Sequence, residues 1–133
     1  MRERVKKTFS DFEKAFHNLK SAAETAVDDL DIDGTIKRFE LCYELSWKII
    51  KLYLEDLGII CKNPRDCFKQ AKINNLIEDE DLWMEMIEMR NQLVHEYSLE
   101  FSREMFDKIK TKYVNIFEKL YKNIKERIKD DLA

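Results

Sequence analysis

The eight residues from Arg90 to Tyr97, RNQLVHEY, combine side chains that suit phosphate chemistry. Arg90 supplies a cation that stays charged at any ordinary pH, and His95 titrates close to neutrality. Asn91 precedes His95 by four residues, so on a helix the two side chains share one face. Tyr97 adds a phenol two residues later. On residue chemistry alone, a structural ion pair of Arg90 is the favoured interpretation, but the grouping strengthens the case for a binding or reactive role.

Helical geometry places Arg90 on the apolar side of its own helix. At about 100° per residue, the neighbouring apolar side chains fall within about 100° of Arg90 on either side; they are Leu82, Trp83, Met86, Met89, Leu93 and Val94. Burying an unpaired guanidinium is costly. We therefore expect either a structural ion pair to Glu40 or Glu44, or a pocket or subunit interface on this face.

Apolar periodicity predicts the elements that position this segment. A stripe from Val5 to Ala26 predicts a first helix, which DDLDIDGT should end. A second helix is expected from about Thr35 to Leu57, stopping at Gly58. It is apolar on two sides, so it is either central or faces a second chain.

The second half of the chain predicts three more helices. Asn63 and Pro64 have the types that cap and open a short helix. The Arg90 helix should begin in the acidic EDEDLW, and Ser102 should cap the last helix. The predicted fold class is therefore all-α: an up-and-down helical bundle of four long helices plus one short helix.

Composition indicates a single helical domain over residues 1–133. Two glycines, one proline and 38% charged residues suit amphipathic helices. The net charge of -3 gives no overall attraction to nucleic acid, and no membrane span is expected. Cys42, Cys61 and Cys67 are odd in number and fit no metal-ligand spacing. We expect reduced thiols in a cytoplasmic protein, with no metal site and no cofactor.

The stretch from Asp29 to Glu40, DLDIDGTIKRFE, also matches the spacing of an EF-hand calcium loop. Asp29, Asp31 and Asp33 would be oxygen ligands and Gly34 would make the turn. Lys37 places a cation where such a loop usually has an oxygen ligand, and no second loop is present to pair with it. A polar turn that caps the second helix is the favoured interpretation, with calcium binding as the alternative.

Three blocks in order give the chain a family resemblance. Arg90, His95 and Tyr97 match the Arg-x4-His-x-Tyr signature of HEPN domains. The whole chain more closely resembles the nucleotidyltransferase substrate-binding protein family of that group, over about residues 5–125. The blocks are DGTIKRFELCYELSWKIIKLYLEDLGI, NPRDCFKQA and LWMEMIEMRNQLVHEY.

The resemblance implies a homodimeric helical bundle that works with a minimal nucleotidyltransferase encoded by a neighbouring gene. In one role the domain is a toxin-like, metal-independent RNase, with Arg90, His95 and Asn91 catalytic and Tyr97 modified with AMP by the partner. In the other role it is a non-catalytic substrate-binding subunit, and Arg90 and His95 contact ligand phosphate. A structural adaptor is a third class, if Arg90 is only part of an ion pair.

Charge is unevenly distributed around this segment. Residues 78–88 hold six carboxylates and no cation, which disfavours binding of an RNA backbone beside Arg90. The last helix carries seven lysines between Lys108 and Lys129. The lysine run is expected to be a solvated face, and its position relative to Arg90 does not follow from the sequence.

Overall fold

The computed structural model describes residues 2–96 and 98–132, and these residues form helices joined by short turns. In chain order the elements are α1 (Arg2–Thr25), α2 (Asp29–Asp56), α3 (Pro64–Ile73), α4 (Glu80–His95), α5 (Leu99–Lys108), a π-helical turn (Ile109–Tyr113) and α6 (Val114–Leu132). The described ranges contain no strand. Because α5, the π turn and α6 follow one another without a break, the predicted four long helices and one short helix are confirmed.

Helix α2 begins six residues earlier than the sequence suggested. The Asp28 side chain caps it by accepting from Asp31 N at 2.8 Å, and Asp31 Oδ2 accepts in return from Val27 N at 2.9 Å. This reciprocal cap satisfies two backbone donors, and the carboxylates face the positive end of the helix dipole. The expected break therefore shrinks to residues 26–28, because the aspartates start the helix instead of ending its predecessor.

The same geometry removes the basis of the calcium alternative. Residues 29–40 form helical turns, whereas an EF-hand needs an irregular loop that wraps its ligands around the ion. In the described part of the chain, no three His, Cys, Asp or Glu side chains come together in a way that could hold a metal ion. Gly34 is exposed within the helix, and a Cβ added to it would meet nothing within 4 Å, so no tight turn requires a glycine there.

Helix α2 ends as predicted, at Gly58. This glycine has φ +81°, and the amides of Gly58 and Ile59 donate to the carbonyls of Glu55 and Leu54. The left-handed residue closes the last helical turn in a Schellman arrangement. The chain is thereby turned toward α3, whose first residues form part of the candidate site.

The core is a continuous cluster to which every helix contributes. Helix α1 packs along α2 and α6, while α3 packs against α2 and α4. Aromatic rings connect these layers: Phe68 of α3 lies 4.8 Å from Trp83 of α4, and Trp83 lies 5.7 Å from Phe117 of α6. Within the described residues, no helix is long and apolar enough to cross a membrane.

The last helix begins at a different serine from the one predicted. Ser98 Oγ accepts from Phe101 N at 3.1 Å and caps α5, whereas Ser102 lies buried one turn further on. The π turn then follows, and the buried side chains Ile109 and Tyr113 begin and end it. Tyr113 donates a hydrogen bond to Glu85 Oε2 at 2.8 Å, which joins this turn to α4.

Candidate functional site

An open cavity of about 480 Å³ lies beside Arg90, and we call it the Arg90 cleft. Three elements that are distant in sequence form it. Its lining combines aromatic, charged and amide side chains: Tyr43, Glu44 and Trp47 of α2, Asn63, Pro64 and Arg65 at the start of α3, and Ile87, Arg90 and Asn91 of α4. The cleft therefore depends on the packing of α3 against both α2 and α4.

Arg90 is paired but not buried. Its Nη2 lies 3.6 Å from Glu44 Oε1, and the two side chains are 37% and 38% exposed. The structure thus selects Glu44 over Glu40 as the ion-pair partner. Exposed pairs of this kind contribute at most about 1 kcal/mol to stability. The guanidinium remains accessible to a ligand, and a ligand anion could replace the carboxylate without leaving a buried charge unpaired.

Glu44 also positions the indole of Trp47. Its Oε2 accepts a hydrogen bond from Trp47 Nε1 at 2.9 Å, while Oε1 faces Arg90. Trp47 is three residues further along α2, where side chains of the same helical face meet. One carboxylate thus fixes a cation and an aromatic ring relative to each other.

A disulfide bond ties the α3 side of the cleft to the core. Cys61 and Cys67 are bonded, with their Cα atoms 5.0 Å apart, and both are buried. The expectation of reduced thiols was wrong for these two residues, and it holds for the buried Cys42. Disulfide formation depends on how closely two side chains approach in the fold, which sequence spacing does not reveal. The bond also removes one of the reasons for expecting a cytoplasmic location.

Polar contacts further restrain the same segment. Asn63 caps α3 as predicted, accepting from Asp66 N at 2.9 Å, and Asp66 Oδ2 accepts from Lys62 N at 3.0 Å. Arg65 Nη2 donates to Glu88 Oε1 of α4 at 2.9 Å. The residues that line the α3 side are therefore held by a covalent bond, a reciprocal cap and an ion pair.

Tyr43 places a protonated phenol beside the two arginines. Burial raises the pKa of Tyr43 to about 12; Glu44 adds to the rise, whereas Arg90 and Arg65 oppose it. A tyrosine hydroxyl is neutral at physiological pH even at its ordinary pKa, and the raised pKa keeps that of Tyr43 protonated further into the alkaline range, so it can donate a hydrogen bond. Both guanidiniums lie close enough to the phenol to lower its pKa slightly.

The other predicted site residues are only partly brought together. Asn91 is exposed and lines the cleft beside Arg90. His95 is the exposed last residue of α4 and is not part of the lining. A separation of five helical residues directs the two side chains about 140° apart around the helix axis. Tyr97 lies outside the described residues.

The acidic run and the last helix face each other at several points. Lys108 and Lys112 approach Glu85 Oε1 at 3.8 and 3.9 Å, and Lys119 pairs with Asp79 at 3.3 Å. Part of the lysine run therefore neutralises the carboxylates of α4 and its N-terminal turn. These ion pairs place the two charged stretches side by side.

Sequence reasoning missed three important contributors to the cleft. From the sequence, Trp47 counts only as one of the apolar residues of the second helix, Asn63 is predicted only as a helix cap, and Arg65 has no predicted role. The sequence does contain a signal for Trp47, because Glu44 lies three residues before it, where its carboxylate can reach the indole N–H on the same helical face. No comparable local signal exists for Arg65, because its approach to α4 depends on the packing of α3.

Comparisons with known proteins add three findings. The profile of a family described as "Nucleotidyltransferase substrate binding protein like" matches residues 7–126. A crystal structure of a protein from Thermus thermophilus superposes with a TM-score of 0.76 and 28% sequence identity, covering 82% of this chain and 94% of that one. No curated protein sequence matches the chain.

Proposed function

Because the chain belongs to the nucleotidyltransferase substrate binding protein like family, we propose that its Arg90 cleft binds the acceptor substrate of a nucleotidyl transfer. A separate nucleotidyltransferase chain carries out the transfer. The present chain holds the acceptor and supplies no catalytic group. This role makes the second interpretation of the sequence the leading one.

The composition of the Arg90 cleft is the observation that carries the proposal. Two guanidiniums, a phenol and an indole surround one cavity of about 480 Å³, which falls within the usual size range of small-molecule sites. Arg90 and Arg65 suit an anionic group such as a phosphate, and Trp47 offers an aromatic face for a planar ring. The proposed acceptor is therefore a small molecule that has an anionic group and a planar ring.

Ligand binding follows an exchange of ion-pair partners. The ligand anion takes the place of Glu44 Oε1 at Arg90, while Glu44 Oε2 keeps its hydrogen bond to Trp47. The freed oxygen then accepts a hydrogen bond from a hydroxyl or amino group of the ligand. Because the Arg90 pair is exposed and weak, the exchange costs little.

Binding of the four nucleoside monophosphates, measured by titration calorimetry, tests the cleft directly. At least one should bind more tightly than its nucleoside, because Arg90 contacts the phosphate. The Arg90→Ala variant should lose about tenfold or more in affinity, consistent with loss of a charge-assisted contact. Arg38→Ala, which removes an exposed arginine elsewhere on α2, is the matched control and should bind normally. Equal affinity of Arg90→Ala and wild type would overturn the proposal.

The subunit role is tested by reconstitution with a minimal nucleotidyltransferase from the same genome. Transfer of label from ATP to a small acceptor should require both chains, and Arg90→Ala should abolish the contribution of this chain. Equal transfer by the nucleotidyltransferase alone would contradict the role.

An RNase of the HEPN type is the second candidate function, and it needs a homodimer. One helix directs Arg90 and His95 apart, so a second copy would have to bring the two groups to one phosphate. Val94 and Leu99 flank His95 and are 67% and 50% exposed, which gives a second copy apolar surface to cover. Light scattering should then detect a dimer, and RNA cleavage should survive EDTA but not His95→Ala. A stable monomer, or cleavage retained by His95→Ala, would eliminate this candidate.

A further inference from the structure

A second open cavity of about 480 Å³ lies between α1 and α2, and Trp47 is one of its lining residues. We call it the Lys51 cleft. Its lining is mainly charged: Arg4, Lys7, Thr8 and Asp11 come from α1, and Trp47, Lys48, Lys51, Leu52 and Glu55 come from α2. Trp47 lines both cavities, so the Arg90 cleft and the Lys51 cleft adjoin at this one residue.

Positive charge predominates in the Lys51 cleft. Four cations and two carboxylates line it, although the whole chain has a net charge of -3. Lys7 pairs with Asp11 at 3.6 Å. Among the side chains that the structure describes, no carboxylate lies within 4.0 Å of Arg4, Lys48 or Lys51. Three cations are therefore available to an anionic ligand at one short groove.

An aromatic ring lies next to these cations. The Nζ of Lys51 is 5.8 Å from the centroid of the Trp47 ring. The indole is half-buried, and its Nε1 is already engaged by Glu44 on the side of the Arg90 cleft. The Lys51 cleft thus combines a group of cations, which suits phosphates, with an aromatic ring, which suits a nucleotide base.

We propose that the Lys51 cleft binds the phosphate chain of a nucleoside triphosphate, with its base or ribose against Trp47. A triphosphate carries a compact negative charge that matches three or four cations. A longer polyanion such as RNA is disfavoured, because Asp11 and Glu55 flank the cations and the chain as a whole has a net charge of -3. The assignment of a nucleotide to this cleft is independent of the proposed function.

The relation between the two clefts does rest on the proposed function. With an acceptor in the Arg90 cleft, a triphosphate in the Lys51 cleft would contact the same indole. This chain would then hold both substrates of the transfer beside each other, and the nucleotidyltransferase chain would supply the catalytic groups. Trp47 is the positioning residue common to both.

Titration calorimetry with ATP and with inorganic tripolyphosphate, in low-salt buffer, tests this inference. Both probes should bind the wild-type chain, and the double variant Lys48→Ala, Lys51→Ala should bind each at least about tenfold more weakly. The matched control is Lys37→Ala, Lys110→Ala, which removes two exposed lysines elsewhere and should leave both affinities unchanged. Trp47→Leu should weaken ATP binding but not tripolyphosphate binding.

Three results would overturn the inference. They are no binding of either probe at millimolar concentration, equal weakening by the control double variant, and loss of ATP binding in Arg90→Ala but not in the Lys48, Lys51 variant. The proposed function fails separately: nucleoside monophosphates would not depend on Arg90, while tripolyphosphate would still depend on Lys48 and Lys51. Circular dichroism of each variant confirms that the helices are intact.

Discussion

The two clefts share Trp47 but are constructed in different ways. In the Arg90 cleft each guanidinium faces a carboxylate, and a disulfide bond holds the α3 side. In the Lys51 cleft three of four cations have no such partner among the described side chains, and they project from two helices. A restrained, charge-matched site favours selectivity for ligand shape, whereas unpaired lysines on flexible stems favour tolerance of any compact anion.

The largest loss of stability should come from truncating Phe68, a core residue that packs against Tyr43 of the Arg90 cleft. Phe68 is fully buried and lies 4.8 Å from Trp83 and 6.2 Å from Tyr43. Phe68→Ala should lower the free energy of unfolding by about 3–5 kcal/mol, as measured by urea denaturation. The variant should lower the affinity for nucleoside monophosphates more than the affinity for tripolyphosphate. Phe106→Ala, at a half-buried phenylalanine, should cost less; an equal cost would mean that α3 is not held by this ring.

Reduction of the disulfide bond should affect ligand binding differently in the two clefts. Opening the short loop between Cys61 and Cys67 should lower the free energy of unfolding by about 2 kcal/mol, because the unfolded chain regains entropy. Urea denaturation with and without a reductant measures this. Nucleoside monophosphate affinity should fall while tripolyphosphate affinity is retained. The double variant Cys61→Ala, Cys67→Ala should not respond to the reductant, and a response there would contradict the assignment.

Alkaline pH should lower the free energy of unfolding through the ionisation of Tyr43. Burial raises the pKa of Tyr43 to about 12 in the folded chain, so the unfolded chain loses this proton first. The resulting stability is complete below pH of about 10 and is lost as pH rises toward about 12; one such group contributes up to about 2 kcal/mol. Unfolding by urea at several pH values should show a shallower decline in Tyr43→Phe. An unchanged decline would assign the effect to Tyr113 and Tyr121, whose pKa values are also raised.

The smallest effect on stability is expected at the residue with the largest expected effect on binding. Arg90→Ala should change the free energy of unfolding by less than about 1 kcal/mol, because its pair with Glu44 is exposed. A buried pair would instead cost about 3–5 kcal/mol when broken. Urea denaturation distinguishes the two cases. Glu44→Gln is the companion variant, and a large loss in both would indicate a structural ion pair.

Local patterns were sufficient to predict much of the fold. Apolar spacing located the four long helices, and the Asn63-Pro64 pair correctly marked the start of α3. The errors fell where one residue type has two uses. The aspartates cap α2 as expected, but the cap is at Asp28, so the helix begins six residues earlier than predicted; Ser98 takes the capping role that was expected of Ser102.

The candidate site was harder to predict, because its parts meet only through packing. The helical wheel placed Arg90 on the correct face of α4, and Glu44 was one of two expected partners. This face of α4 borders an open cleft as well as the core, because Arg65 and Asn63 reach it from the start of α3. Neither that approach nor the Cys61–Cys67 bond has a periodic signature in sequence, since both depend on how separate segments pack.

The π turn at Ile109–Tyr113 changes the sequence spacing at which the last helix presents residues to the core. Buried residues follow every fourth position through Phe101, Met105, Ile109 and Tyr113, a spacing that a wider turn accommodates. A π turn holds one residue more than an α-helical turn, and its wider winding absorbs the rotation of about 100° that the additional residue would otherwise introduce. Deleting one residue within the turn should therefore restore an ordinary α-helix and keep Ile116 and Leu120 on the core side. The same single-codon deletion between Leu120 and Ile124 should be far more damaging, because no wide turn absorbs it there and Ile124 and Ile128 would rotate out of the core.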